Sequence, residues 1–215
     1  MKYISIILLI LSMIPFSVIA EGDIIWSKCL GTEYADGCYG SCLANETGVI
    51  LCGYTYYSPV PNGKPNCMLV NIDNSGNEIW RVVCDNGGWD YATSIAPLHD
   101  KSGYIYIGYS LKGDSTQADV LVVITNNYGM TQSIKTYGGT GMDMGMSVCA
   151  TSDGNYLILG STTSYGAGED DFFLLKVNNM GDTLWTKTYG CEGSDVGYSC
   201  IETSSGNYLL AGSSG

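Results

Sequence analysis

Asp36, Asp90, Asp143 and Asp195 recur once in each of four similar stretches of the chain. Carboxylates repeated in this way could form a ring that holds Ca²⁺ or a substrate, because hard cations take oxygen ligands. The same recurrence also fits carboxylates that accept backbone N–H groups in a connecting loop. A residue present in every unit serves the unit, whereas a catalytic site breaks the symmetry. The expectation is therefore a structural Asp just before the first strand of each unit, with no metal and no cofactor.

Other chemistry-bearing residues are sparse. Trp89 lies in "NGGWDY", off the register of the other tryptophans, and is a candidate stacking platform for a sugar. His99 is the sole histidine and sits in "PLHDKSG". No nucleophile elbow of the G-x-S-x-G kind accompanies it, so a surface loop position is expected and no catalytic residue is assigned. "NIDNSGNE" and "VNNMGDT" have the flavour of calcium loops but lack the spacing and the distal Glu of an EF-hand. Hairpin turns with Gly in the left-handed position account for them. "GAGED" and "YGGTG" lack the Lys of a phosphate loop.

There are nine cysteines, and none is spaced C-x-x-C. Zinc is not expected, since no His lies near Cys38 and Cys42. Cys52 and Cys67 fall on consecutive strands of one hairpin and are the expected disulfide, with two buried thiols as the alternative. Cys42 and Cys200 occupy one repeat slot in different units and should not bond. "NET" at Asn45 is a glycosylation acceptor only in a eukaryotic source.

The compartment follows from the first twenty residues. Lys2 gives a positive start, "ISIILLILSMI" an apolar stretch, and "VIA" ends at Ala20 with small residues at the cleavage positions. This reads as a signal peptide over 1–20, too short to span a membrane. A mature chain starting near Glu21 is then expected outside the cytoplasm, where disulfides persist. Its net charge of −12, with 9 basic and 21 acidic residues, disfavours nucleic acid and anionic lipid.

The elements that must position these residues come from internal repetition. "DTLWTKTYGCEGSDVGYSCIETSSGNYLLAGSSG" overlays "MTQSIKTYGGTGMDMGMSVCATSDGNYLILGSTT" and, more loosely, two earlier stretches. Trp26, Trp80, Ser133 and Trp185 are separated by 54, 53 and 52 residues, and Gly53, Gly108, Gly160 and Gly212 by 55, 52 and 52. Each unit holds four short apolar runs. In the third these are "MSVCAT", "NYLILGS", "DFFLLKV" and "TLWTKTYG". Their length and β-branched or aromatic content predict strands, and the Gly/Asn/Asp turns between them predict antiparallel hairpins.

Four antiparallel strands repeated in this way predict an all-β protein of β-propeller blades. "FFLLKV" and "YLILG" show little polar alternation, which is expected where stacked blades bury both sheet faces. The domain spans 21–215, with blades at roughly 39–84, 92–137 and 145–189, a partial blade at 198–215 and a lone outer strand at 24–30. About three and a half blades do not close a ring of roughly four to eight. The phrase stops in mid-motif at Gly215, so the favoured reading is a fragment of a longer propeller, with assembly of several copies or an incomplete fourth blade that caps the stack as the alternatives.

"DFFLLKVNNMGDTLWTKTYGCEGSDVGYSCIETSSGNYLLAGSS" resembles the secreted β-propeller-like repeat proteins of bacteria and archaea, within the wider superfamily of quinoprotein and WD-type propellers. Those repeats read approximately D-F-W-L-x-K-x-D-x-x-G-x-x-x-W-x-K-T-x-G-G-x-x-x-D-x-G-x-S-V. The likeness covers nearly all of the mature chain and is strongest from Thr136 to Gly215. Cys29 and Cys84 interrupt the W-x-K-T-x-G-G text, and "PNGKPNC" replaces the acidic lead into a third strand. The resemblance implies an extracellular or cell-surface protein and transfers no catalytic residue. The expected function is a secreted, non-catalytic propeller for ligand binding or scaffolding. The alternatives are a carbohydrate-active enzyme with Trp89 on one face, and an adhesion module that binds a surface protein.

Overall fold

The computed structural model describes residues 27–57, 63–112 and 116–215. The signal-peptide segment, Trp26 and the start of the expected lone strand lie outside them. All regular structure among the described residues is β, in fourteen strands.

The first sheet comprises β1 (Asp36–Leu43), β2 (Val49–Thr55), β3 (Asn66–Ile72) and β4 (Glu78–Cys84). The second comprises β5 (Trp89–Pro97), β6 (Gly103–Lys112), β7 (Gln117–Asn126) and β8 (Thr131–Tyr137). The third comprises β9 (Asp143–Ala150), β10 (Tyr156–Thr162), β11 (Asp171–Val177) and β12 (Thr183–Tyr189). Two strands, β13 (Asp195–Glu202) and β14 (Tyr208–Ser214), make a fourth, smaller sheet. Each sheet is an antiparallel meander in chain order. This is a propeller-like stack of about three and a half blades.

The blades pack face to face. Ile50, Cys52 and Leu69 of the first meet Ala92, Tyr104 and Tyr106 of the second. Ile105, Ile107, Val120 and Val122 of the second meet Tyr156, Ile158 and Leu175 of the third. Leu157, Leu159 and Leu174 of the third meet Cys200 and Leu210 of the fourth. The middle strands are therefore buried on both faces, β3 and β10 along their whole length, while β4, β8 and β12 stay half exposed at the rim. Burial on both faces explains why the sequence of these middle strands is apolar without alternation.

Successive inner strands β1, β5, β9 and β13 lie beside one another. Each carries a bulge at one place, skipping Tyr39, Thr93, Met146 and Tyr198. Opposite each bulge stands a glycine of the second strand. A Cβ on Gly160 would lie 1.7 Å from the Met144 carbonyl oxygen, and one on Gly108 would lie 1.8 Å from that of Tyr91. The recurrence of Gly53, Gly108, Gly160 and Gly212 is thus a close-approach requirement of the bulge.

The turns between third and fourth strands use Asp73, Asn126 and Asn178. Each side chain accepts N–H groups two and four residues on, and Gly76, Gly129 and Gly181 follow with positive φ. They are hairpin turns of the Asx kind.

Two sequence expectations shift. Asp36, Asp143 and Asp195 are the first residues of their inner strands and Asp90 the second, where their backbones align with Thr55, Thr162, Ser214 and Ser110, rather than loop residues before them. Residues 27–30 of the expected outer strand 24–30 have no strand pairing. They are held by side chains instead: Arg81 Nη2 donates to the Leu30 carbonyl at 2.6 Å, and Leu30 packs on Leu51, Met68 and Val70.

Candidate functional site

The four repeated aspartates do one job. Each carboxylate accepts the backbone N–H four residues earlier: Thr32 for Asp36, Asn86 for Asp90 at 2.6 Å, Gly139 for Asp143 at 2.7 Å and Cys191 for Asp195 at 2.7 Å. Asp143 also takes Thr162 Oγ1 and, at 2.6 Å, Ser164 Oγ. This ties the loop that enters each blade to the inner strand. Burial pushes the Asp90 carboxyl above the ordinary range, while the Ser214 hydroxyl and the Cys191 N–H hold that of Asp195 below it.

Carboxylates of neighbouring blades also approach. A Cβ on Gly138 would stand 2.5 Å from Asp143 Oδ2 and 2.6 Å from Asp119 Oδ1, so the glycine leaves room for both. Among the described residues, no three His, Cys, Asp or Glu side chains gather in a way that would hold a metal ion.

The cysteines fall differently from the sequence expectation. Cys52 and Cys67 are separate buried thiols. The register sets Cys52 opposite Leu69 and Cys67 opposite Tyr54, so the two are offset by two positions. Cys84 lies directly across from Cys67. His99 is exposed and its ring rests 5.3 Å from that of Tyr156, where the backbone N–H of His99 donates to the Tyr156 hydroxyl. That position serves the contact between the second and third blades.

What breaks the symmetry of the blades is tyrosine. One register step inward from the Asp row, the inner and second strands present Gly37 with Tyr54 in the first blade and Tyr91 with Tyr109 in the second. The same step holds Met144 with Ser161 in the third and Val196 with Ser213 in the fourth. The rings of Tyr91 and Tyr109 stack at 5.0 Å with an interplanar angle of 26°. Tyr54 meets Tyr91 edge-on at 5.1 Å, and Tyr39 and Tyr56 adjoin Tyr54 at 5.7 and 6.2 Å.

Gly37 permits this arrangement, since a Cβ there would lie 2.2 Å from Tyr54 Cε1. Tyr39 is 56% exposed and Tyr56 is 37% exposed, whereas Tyr54, Tyr91 and Tyr109 are half-buried. The result is a continuous aromatic surface with its outer members open to solvent. Burial and neighbouring phenols raise the Tyr91, Tyr109 and Tyr39 hydroxyls, which stay neutral donors at physiological pH.

Trp89 is half-buried at the start of β5, aligned with Leu111, and none of these ring pairs includes it. Sequence reasoning singled out Trp89 and missed the tyrosines, although the repeat overlay contained the signal. Tyr54 and Tyr109 occupy a slot that Ser161 and Ser213 fill elsewhere.

No family model and no curated protein matches the chain. Among solved structures, a protein of unknown function from Bacteroides caccae is similar over 88% of this chain, with a TM-score of 0.52 and 14% identity. The chain spans 57% of the length of that structure. The Pseudomonas aeruginosa periplasmic gluconolactonase aligns over 81% of this chain and 65% of its own at a TM-score of 0.40 and 11% identity. A eukaryotic initiation factor aligns over 73% and 33% at 0.41 and 9%. At these identities the first likeness speaks for the fold alone, and the other two are too distant to carry an argument. The class defined is an all-β, propeller-like repeat.

Proposed function

We propose that this is a secreted, non-catalytic propeller whose tyrosine surface binds a neutral glycan at the cell exterior. The observation that carries the reading is the departure of Tyr54, Tyr91 and Tyr109 from the blade repeat. Blade stability does not ask for these rings, because the third and fourth blades form the same strand pairs without them. Tyrosine rings offer flat apolar area for the C–H face of a pyranose, and their hydroxyls reach its oxygens. Neutral phenols beside a chain of net charge −12 favour an uncharged ligand over an anionic one. The apolar leader at residues 1–20 supports the exterior location.

The test is glycan-array binding followed by calorimetry on the unaltered chain and on Tyr54→Ala and Tyr91→Ala. Binding lost in both variants, with unchanged melting of the fold, supports the proposal. An array on which no glycan binds would defeat it. Release of a cleaved product would replace it with the carbohydrate-active alternative.

A further inference from the structure

Two cysteines meet across the boundary between the third and fourth blades. Cys149 is on the inner strand β9 and Cys200 on the inner strand β13, and their Sγ atoms are 3.7 Å apart. A disulfide requires about 2.05 Å, so an approach of roughly 1.7 Å closes the bond. The backbone already holds the two strands together, since the Cys200 N–H donates to Ser147 Oγ at 3.3 Å and the Cys200 thiol lies 3.6 Å from the Leu157 carbonyl oxygen.

We infer that Cys149 and Cys200 are a redox site that closes to an inter-blade disulfide, stapling the fourth blade to the third. The two thiols are unequal in access. Cys149 is half-buried, whereas Cys200 is 4% exposed. The first step is attack by the Cys149 thiolate on one sulfur of a small-molecule disulfide, which forms a mixed disulfide and expels one small thiolate. Cys200 then loses its proton and attacks Cys149 Sγ, expelling the second. Two protein thiols are oxidised, one small disulfide is reduced to two thiols, and atoms and electrons balance.

The electrostatics agree with this order. The hydrogen bond from Cys200 holds the Cys149 thiol below its usual range, and the charge of Lys176 adds to the effect against burial and Glu202. The same contact and burial raise Cys200, which remains a thiol until Cys149 has reacted. Elsewhere burial pushes the thiols up, to about 12 for Cys42 and well above the usual range for Cys52 and Cys67. Those thiols attack more slowly than Cys149, which is the nucleophile of its pair.

The test is peptide mapping without reductant. The purified full chain is reduced, desalted, exposed to oxidised glutathione and alkylated before proteolysis. The expected result is a linked pair of peptides carrying Cys149 and Cys200, two mass units below the sum of the free peptides. Reductant should abolish it, and melting should be higher by roughly 5–10 °C in the oxidised form. Cys149→Ser should remove the link and the melting shift together. Recovery of both residues as alkylated thiols would overturn the inference. So would a glutathione adduct on Cys149 that never resolves, or a link of either residue to another cysteine.

Discussion

Gly37 and Tyr54 are register partners on β1 and β2, and the tyrosine ring lies over the glycine so closely that a methyl group there would sit 2.2 Å from Cε1. The aromatic surface thus depends on a residue that contributes no ring. Gly37→Ala must push Tyr54 off its edge contact with Tyr91. We expect binding of the glycan found on the array to weaken about tenfold, equivalent to about 1.4 kcal/mol, while the circular dichroism spectrum stays unchanged. Calorimetry checks it, and unaltered affinity would separate Tyr54 from the binding surface.

The glycines of the second strands should be far less tolerant than those of the turns. Gly160→Ala places a carbon against the Met144 carbonyl with no side chain able to yield. Its expected cost is about 3 kcal/mol. Gly154→Ala meets nothing within 4 Å and suffers only from its φ of +82°, at a cost of about 1 kcal/mol. Urea denaturation of the two variants gives the comparison, and equal costs would contradict the bulge argument.

The aspartate row should behave as scaffold. Asp143→Ala removes the acceptor for Gly139 N–H, Thr162 Oγ1 and Ser164 Oγ at once, and is expected to cost about 3 kcal/mol. Addition of calcium or of a chelator should leave the melting temperature of the unaltered chain in place. A rise with calcium would restore the cation-ring reading of these residues.

The ion pair at the boundary of the third and fourth blades predicts a pH dependence. Lys176 is 2% exposed and donates to Thr151 Oγ1 at 2.6 Å and to the Tyr208 hydroxyl at 2.7 Å, with Asp153 at 3.1 Å. Burial alone would lower its pKa, but Tyr208 and Asp153 outweigh burial and raise it. Hydrogen bonding by Thr151, aided by Lys176, holds Asp153 well below the usual carboxylate range.

A carboxyl depressed in the folded state stabilises above its unfolded pKa of about 3.9, and that stability is lost as pH falls further. Melting followed from neutrality to strong acid should therefore fall off below about pH 4. Asp153→Asn should flatten that limb and also bring the alkaline loss of stability to lower pH, because Lys176 then lacks one of the two groups that raise it. An identical acid profile in the variant would remove Asp153 from the account.

Much of this architecture was legible in the residues. The strands followed from apolar runs such as "DFFLLKV", whose lack of alternation correctly implied burial on two faces. The turn glycines were legible because positive φ has few other solutions. The start of the inner strand was not, because an aspartate that both pairs in a ladder and caps a loop looks like a loop residue in text. The Cys52–Cys67 pairing rested on hairpin adjacency, and adjacency does not fix the two-residue offset that register imposes. The tyrosine surface was hidden for another reason. Tyr39, Tyr54 and Tyr91 come together from different strands and two blades, and a repeat overlay directs attention to what recurs.

The bulge that each inner strand carries has an implication for how such proteins diversify. Tyr39, Thr93, Met146 and Tyr198 are the residues skipped by the pairing, so none has a register partner in the ladder. Four blades have accepted a phenol, a hydroxyl and a thioether there without altering the ladder on either side. The same backbone step thus carries side chains of different chemistry from blade to blade, open in Tyr39 and Tyr198 and used by Thr93 to reach the Gly145 carbonyl of the next blade.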